Sequence, residues 1–472
     1  MKSFLTTAAL LAATASADLC AHGSTDDNGN YYCQEVKAIT YTGVGGSGSY
    51  NKVTNMDGSS GSCSSSPFGY SGSLSPLDEE VSMHFRGPLK LLKFAYYAPD
   101  SSSSKKRSVG RKSAHERRHA HGHAHQHLHH ARDAQPAEDK RALGDMVTAT
   151  INGLVQTWAN DYAGAGAAST PTAAASPESY GGSSWGNWGS GSGSESSESS
   201  SSAPSTSAAS SSSSSSDDDD DSSSSGFGWS RKGYYCADDG TSDGITFLNH
   251  QGGSGSGTFD YTFGNSLSYS SADGKSGASS PQTLEACTLD SDTEVIIMTD
   301  DKCSGDGCGY YRDGTVAYHG FDGPSKAFFF EFEMPDDGQS AASIYDPVNM
   351  PAIWLLNAQI PRTLQYGKSE CSCWESGCGE FDIFEVLAPG DTRCKSTLHG
   401  NIAGGDSDYF ARPTNGSIKA ALLLYKDNIH IKVLDDNVDF GKTMGSTFFT
   451  EMIADTAADS LNNLVSLFKL SG

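Results

Sequence analysis

The sequence predicts an all-β fold, on three observations. Short apolar runs recur through its second half, among them TEVIIMT (293–299), AFFFEFEM (327–334), AIWLLNAQI (352–360), EFDIFEVL (380–387), KSTLHGNI (395–402), IKAALLLY (418–425) and NIHIKVLD (428–435). Gly, Pro, Asp or Asn separates them, which is turn punctuation. Sustained helical periodicity is scarce. Many short strands with regular turns specify a sandwich of two antiparallel sheets or a barrel, and residues 229–472 are read as one such domain.

The rest of the chain divides by composition. Residues 1–17, MKSFLTTAALLAATASA, set Lys2 before an apolar run and end in Ala15-Ser16-Ala17, the small-x-small form of a signal-peptidase site. Export follows, with the mature chain starting near Asp18. No later window approaches the roughly 20 apolar residues of a spanning helix, and 461–472 lacks the hydrophobic tail of a lipid-anchor signal, so no membrane partner is expected. Residues 18–100 hold alternating stretches such as VKAITYTGV (36–44) and LKLLKFAYYA (89–98), which predict a small N-terminal β domain. Residues 101–228 read as a disordered Ser/His/Asp-rich linker. It carries a basic segment, eight histidines between 115 and 130, the dibasic pair Lys140-Arg141, serine tracts and Asp217 to Asp221. Within it, 143–162 (LGDMVTATINGLVQTWANDY) reads as a short helix after a candidate processing site.

Charge and cysteines narrow the function. Lys plus Arg is 32 and Asp plus Glu is 57, a net charge of −25 that repels nucleic acid and suits a neutral polysaccharide. Eleven cysteines fit disulfides in an oxidising compartment, three before residue 100 and eight after residue 230; the even set can close on itself and the odd set cannot. Cys371, Cys373 and Cys378 lack a fourth ligand at zinc spacing, and no metal or cofactor is assigned.

The chemistry lies in Gly379-Glu380-Phe381-Asp382-Ile383-Phe384-Glu385-Val386. Three acids stand in an apolar strand, where carboxylates are disfavoured unless they face a polar cleft. Glu380 and Asp382 share a face, and Glu385 has the wrong parity. One bulge at Ile383-Phe384 would bring Glu385 to the same face. The plain alternative is a strand with a wet acidic face. Convergence instead suits retaining glycoside hydrolysis, which wants two carboxyls about 5–5.5 Å apart. Glu385 is then the group expected to carry the raised pKa and Asp382 to hydrogen-bond the nucleophile.

Met350-Pro351-Ala352-Ile353-Trp354-Leu355-Leu356, then GEFDIFEV, then Ser396-Thr397-Leu398-His399-Gly400 resemble in order and spacing glycoside hydrolase family 16, the laminarinase-like β-glucanases. The resemblance implies a concanavalin-like β-jelly roll with Glu380 as nucleophile, Asp382 as its assistant and Glu385 as general acid/base. The N-terminal YYCQEVKAITYTGVGGSGSYNKV, the Ser-rich segment and GITFLNHQGGSGSGTFDYTFGNSLSY (244–269) resemble fungal cell-wall proteins of the SBF-target type. The insert Lys368 to Gly379, with three Cys and Trp374, departs from the family pattern. Trp354 and Trp374 are candidate platforms for the apolar faces of sugar rings, and His399 a candidate partner of a sugar hydroxyl or of Glu385. Asn415-Gly416-Ser417 is an N-glycosylation sequon.

The expectation is a secreted cell-wall enzyme, endo-acting on β-1,3-glucan by double displacement without a cofactor. Its rivals are a glucan transglycosylase and a non-catalytic glucan-binding wall protein.

Overall fold

The computed structural model describes residues 23–26, 28–100, 146–151, 154–159, 228–253, 255–305, 307–342, 346–457 and 464–470. Among these, most strands fall in two large sheets, one of nine strands and one of ten. Alternation explains the layering: along Glu380–Glu385, Phe381 turns to the interior and Glu380 and Asp382 turn away. One buried cluster joins Phe94, Phe328 and Leu422 of the first sheet to Phe85, Ile353 and Phe381 of the second. Apolar faces packed this way make the β sandwich that the strand pattern predicted.

The two β regions read from the sequence are both present, and they are interleaved. Lys90–Pro99 lies between Trp229–Cys236 and Lys326–Glu333 in the first sheet. Val81–Arg86 lies between Glu294–Thr299 and Ala352–Asn357 in the second. Ala38–Thr42 pairs with Asn428–Leu434 and, in parallel, with Val465–Lys469. N-terminal and C-terminal strands therefore form one compact unit rather than two domains in series. The cause is burial: VSMHFR is buried at five of its six positions, with Val81, Met83 and Phe85 in the shared core and Ser82 and His84 covered on the other face, which a free-standing sheet of its own could not supply.

Trp229 stands opposite Pro99 in the antiparallel ladder, and the Asp100 amide donates to the Gly228 carbonyl at 2.9 Å. The two residues that flank the Ser/His/Asp-rich segment, Asp100 and Gly228, thus meet beside the same pair of strands. The entropy lost in bringing two such distant positions together grows only logarithmically with their separation. The linker, histidine-tract and dibasic readings of 101–228, like the leader at 1–17, fall almost wholly outside the described residues. Where 143–162 is described, the expected helix is replaced by an antiparallel pair, Met146–Ile151 with Leu154–Ala159. VTATI and LVQTW are rich in β-branched residues and include Trp158, a composition that favours that outcome.

A long hairpin, Gly45–Asp57 with Ser62–Ser73, is bonded to the 368–379 insert. Cys63–Cys371 forms one disulfide across 308 residues, and Cys373–Cys378 and Cys303–Cys308 form local ones. The C-terminal cysteines therefore do not close on themselves: Cys371 pairs with the N-terminal set, and Cys236, Cys287 and Cys394 are free thiols. No helix among the described residues is long and apolar enough to cross a membrane.

Candidate active site

The bulge falls where parity required it. Ile353 pairs with Phe384 and Trp354 with Asp382, leaving Ile383 without an opposite residue on the Ala352–Asn357 strand. The ladder to Arg393–His399 shifts over the same interval, between Asp382 and Glu385. Phe381, Ile383 and Phe384 all enter the core, so Glu385 emerges on the face that carries Glu380 and Asp382. Gly379, at φ +101°, turns the chain from the insert into this strand, a conformation that disfavours any side chain.

All three carboxyls line one cavity of about 270 Å³. Its walls include Trp354 and Arg86 from the neighbouring strands and Tyr366 and Trp374 from the insert side. Each acid is at most 5% exposed. The Trp374 indole N–H donates to Glu380 Oε2. His399 Nε2 lies 2.8 Å from Asp382 Oδ2, and Asp382 is hydrogen-bonded to Glu385. Arg86 reaches Glu385 Oε1 at 3.5 Å and is fixed by its Nε donating to the Met350 carbonyl at 3.0 Å.

Burial is the main electrostatic influence on all three. It raises Glu385 from 4.5 to about 7, with the Asp382 charge adding to the rise and Arg86 opposing it. Glu380 and Asp382 are also raised, chiefly by burial. Asp382 repels charge on Glu380, and the Trp374 N–H partly offsets that by favouring the carboxylate. Asp382 and Glu385 share a hydrogen bond, so one of these two carboxyls carries a proton, and Glu380 is pushed up furthest of the three, to about 8. The site can therefore keep a proton on one acid beside ionisable neighbours, the division of labour that acid-assisted displacement requires.

The sequence-predicted residues are placed as follows. Glu380, Asp382, Glu385, Trp354 and Trp374 come together at the cavity. Trp354 is 5% exposed, and its ring stacks on His84 at 5.0 Å, so its face is largely covered. Trp374 is half-buried and turns its N–H to Glu380. His399 bonds Asp382, where Glu385 was one of the two expected partners. The bonds found for Asp382 run to His399 and Glu385, where Glu380 was the expected partner.

Sequence reasoning missed Arg86, His84, Glu294 and Tyr366. The signal for the first two is the one that found the acids: polar side chains alternating with Met83 and Phe85 in an apolar strand. Cys303, Cys308 and His319 are grouped closely enough for a metal, but the two sulfurs are joined as a disulfide and offer no thiolate.

Residues 227–452 match the family described as cell wall protein YJL171C/Tos1, C-terminal, and residues 37–99 match its N-terminal counterpart. The chain is 43% identical over 450 residues to a Candida albicans protein named "Probable circularly permuted 1,3-beta-glucanase TOS1", covering 92% of this chain and 93% of that one. A Saccharomyces cerevisiae protein of the same name is 42% identical, covering 92% and 94%. An Arthroderma benhamiae protein named "Probable circularly permuted 1,3-beta-glucanase" is 40% identical, covering 91% and 92%. No solved structure matches the chain.

Proposed function

Because the chain belongs to the YJL171C/Tos1 cell wall protein family, we propose that it is an exported, wall-located hydrolase, endo-acting on β-1,3-glucan with retention of configuration. The convergence of Glu380, Asp382 and Glu385 on one cavity carries this reading. The relatives are named 1,3-β-glucanases, which supports the substrate class. They are also named circularly permuted, and the interleaving of 38–99 with 229–470 supports the same description here.

In the first step the Glu380 carboxylate attacks the anomeric carbon as Glu385 gives its proton to the glycosidic oxygen. The carbon–oxygen bond breaks, the shortened chain leaves as an alcohol, and a glycosyl ester remains on Glu380. In the second step Glu385, now a carboxylate, takes a proton from water as that water attacks the same carbon and releases Glu380. Two inversions give net retention. Asp382 holds the Glu385 proton by its hydrogen bond and is itself held by His399. Arg86 balances part of the accumulated negative charge.

Release of reducing ends from laminarin tests the reading. Wild type should release them, and Glu380→Gln should lose at least about 10³-fold in kcat, a floor well under the roughly 10⁶-fold loss seen when a protease nucleophile is removed. Equal release by both would end the proposal. Products longer than the donor would assign the second step to a sugar hydroxyl instead of water.

A further inference from the structure

An aromatic ring left open in a folded protein costs hydration unless something covers it. Among the described residues, the large apolar side chains left exposed are Phe68, Tyr261, Tyr366, Leu464 and Leu467, and of these only Tyr366 lines the cavity that holds the three acids. It is 37% exposed and meets the His250 ring in a T-shaped contact at 6.4 Å, while its hydroxyl is tethered twice: it donates to Glu294 Oε2 at 2.7 Å and accepts from Gln365 Nε2 at 2.9 Å. Glu294 Oε1 in turn accepts from Gln365 Nε2 at 2.8 Å and meets His84 Nδ1 at 2.6 Å. His84 is fully buried, bonds Ser82 Oγ at 2.7 Å, and stacks on Trp354. One carboxylate, 12% exposed, thus orients an open ring in the cavity wall and the imidazole beneath the covered one. The hydrogen bonds and the His84 charge outweigh burial and hold Glu294 near 2, well below its ordinary value.

We infer that Tyr366 is the platform on which a glucosyl ring stacks beside the catalytic acids, and that Glu294 is its positioning residue. This rests on the glucan-active reading of the same cavity. A glucopyranose presents an apolar face of C–H bonds, which an aromatic face covers at little cost in polar desolvation. Trp354 is closed by His84 and Trp374 is half-buried, whereas Tyr366, 37% exposed with only the His250 ring in a T-shaped contact at 6.4 Å among the ring pairs found for it, has the most open surface of the three. Because both ends of its polar tip are tied, stacking freezes little additional side-chain freedom.

The test has two arms. With laminarin as substrate, Tyr366→Ala should raise KM about tenfold or more while changing kcat by less than about threefold, since stacking holds the ground state and the transition state alike. Tyr366→Phe keeps the ring and loses the tether, so its KM should fall between wild type and Tyr366→Ala, and Glu294→Gln should behave like Tyr366→Phe. Calorimetric titration of the Glu380→Gln protein with laminarihexaose is the second arm, in which adding Tyr366→Ala should weaken binding by the same factor. Unchanged KM and unchanged hexaose binding in folded Tyr366→Ala, with folding checked by near-ultraviolet circular dichroism, would overturn the inference and leave the glucanase reading standing. A wild type that binds hexaose through Tyr366 yet releases no reducing ends would overturn the catalytic reading and leave this one standing.

Discussion

Glu385→Gln should stabilise the protein at neutral pH while removing its activity. Glu385 is buried, and its carboxyl is raised from 4.5 to about 7, first by burial and then by the Asp382 charge. The unfolded chain ionises this group near pH 4.5; the folded protein keeps it protonated up to about 7. Across that window the folded state holds more protons, so stability falls as pH rises through it, and the cost is complete above the folded value. At about 1.36 kcal/mol per pKa unit, the rise amounts to about 3 kcal/mol at pH 8. Glutamine matches the shape, keeps a donor for Asp382 and never ionises. The variant should therefore match wild type near pH 4.5 and exceed it by about 2–3 kcal/mol at pH 8, or roughly 3–5 °C in Tm for a folded unit of this size. Thermal unfolding followed by circular dichroism at pH 4.5, 6 and 8 measures this. A variant no more stable than wild type at pH 8 would refute the claim that burial holds Glu385 protonated.

Two further outcomes follow from neighbouring contacts. Trp374→Phe removes the N–H that favours the Glu380 carboxylate, worth about 1.5–3 kcal/mol for a bond to a charged group. The acid limb of the kcat/KM profile should move up by about one pH unit; an unmoved limb would show that Glu380 does not need that donor. Separately, a site-specific protease sequence placed within 101–227 and then cut should leave activity intact, because Asp100 and Gly228 meet at the sandwich surface. The cut protein should run as one species on a non-reducing gel and as two after reduction, since Cys63–Cys371 joins the halves. Two species without reductant would contradict that pairing.

Local chemistry was legible in the sequence; distant partners were not. The period-two pattern of Glu380 to Glu385 located the acids and required a bulge, because parity is a property of consecutive residues. The sandwich followed from strand count and turn chemistry. The pairing of Trp354 with His84 could not be read, because both strands are apolar on the core side and nothing in either run specifies its neighbour. For the same reason the N-terminal strands looked like a domain of their own. Cys63–Cys371 depends on a fold that brings the hairpin to the insert. Tyr366 and Glu294 escaped notice because neither stands in a distinctive pattern: one lies in a loop, the other at the start of a strand, and only the tertiary contact gives them a role.

Covalent trapping addresses the central claim most directly. A laminaribiosyl donor with fluorine at C2 and a good leaving group slows both steps but spares the first relative to the second, so the glycosyl ester accumulates. Intact mass should increase by one fluoroglycosyl unit, and peptide mapping should place it on Glu380. A label on Glu385 or elsewhere, or no label while laminarin is still cleaved, would contradict a nucleophilic Glu380 acting beside an acid brought to its face by the Ile383 bulge.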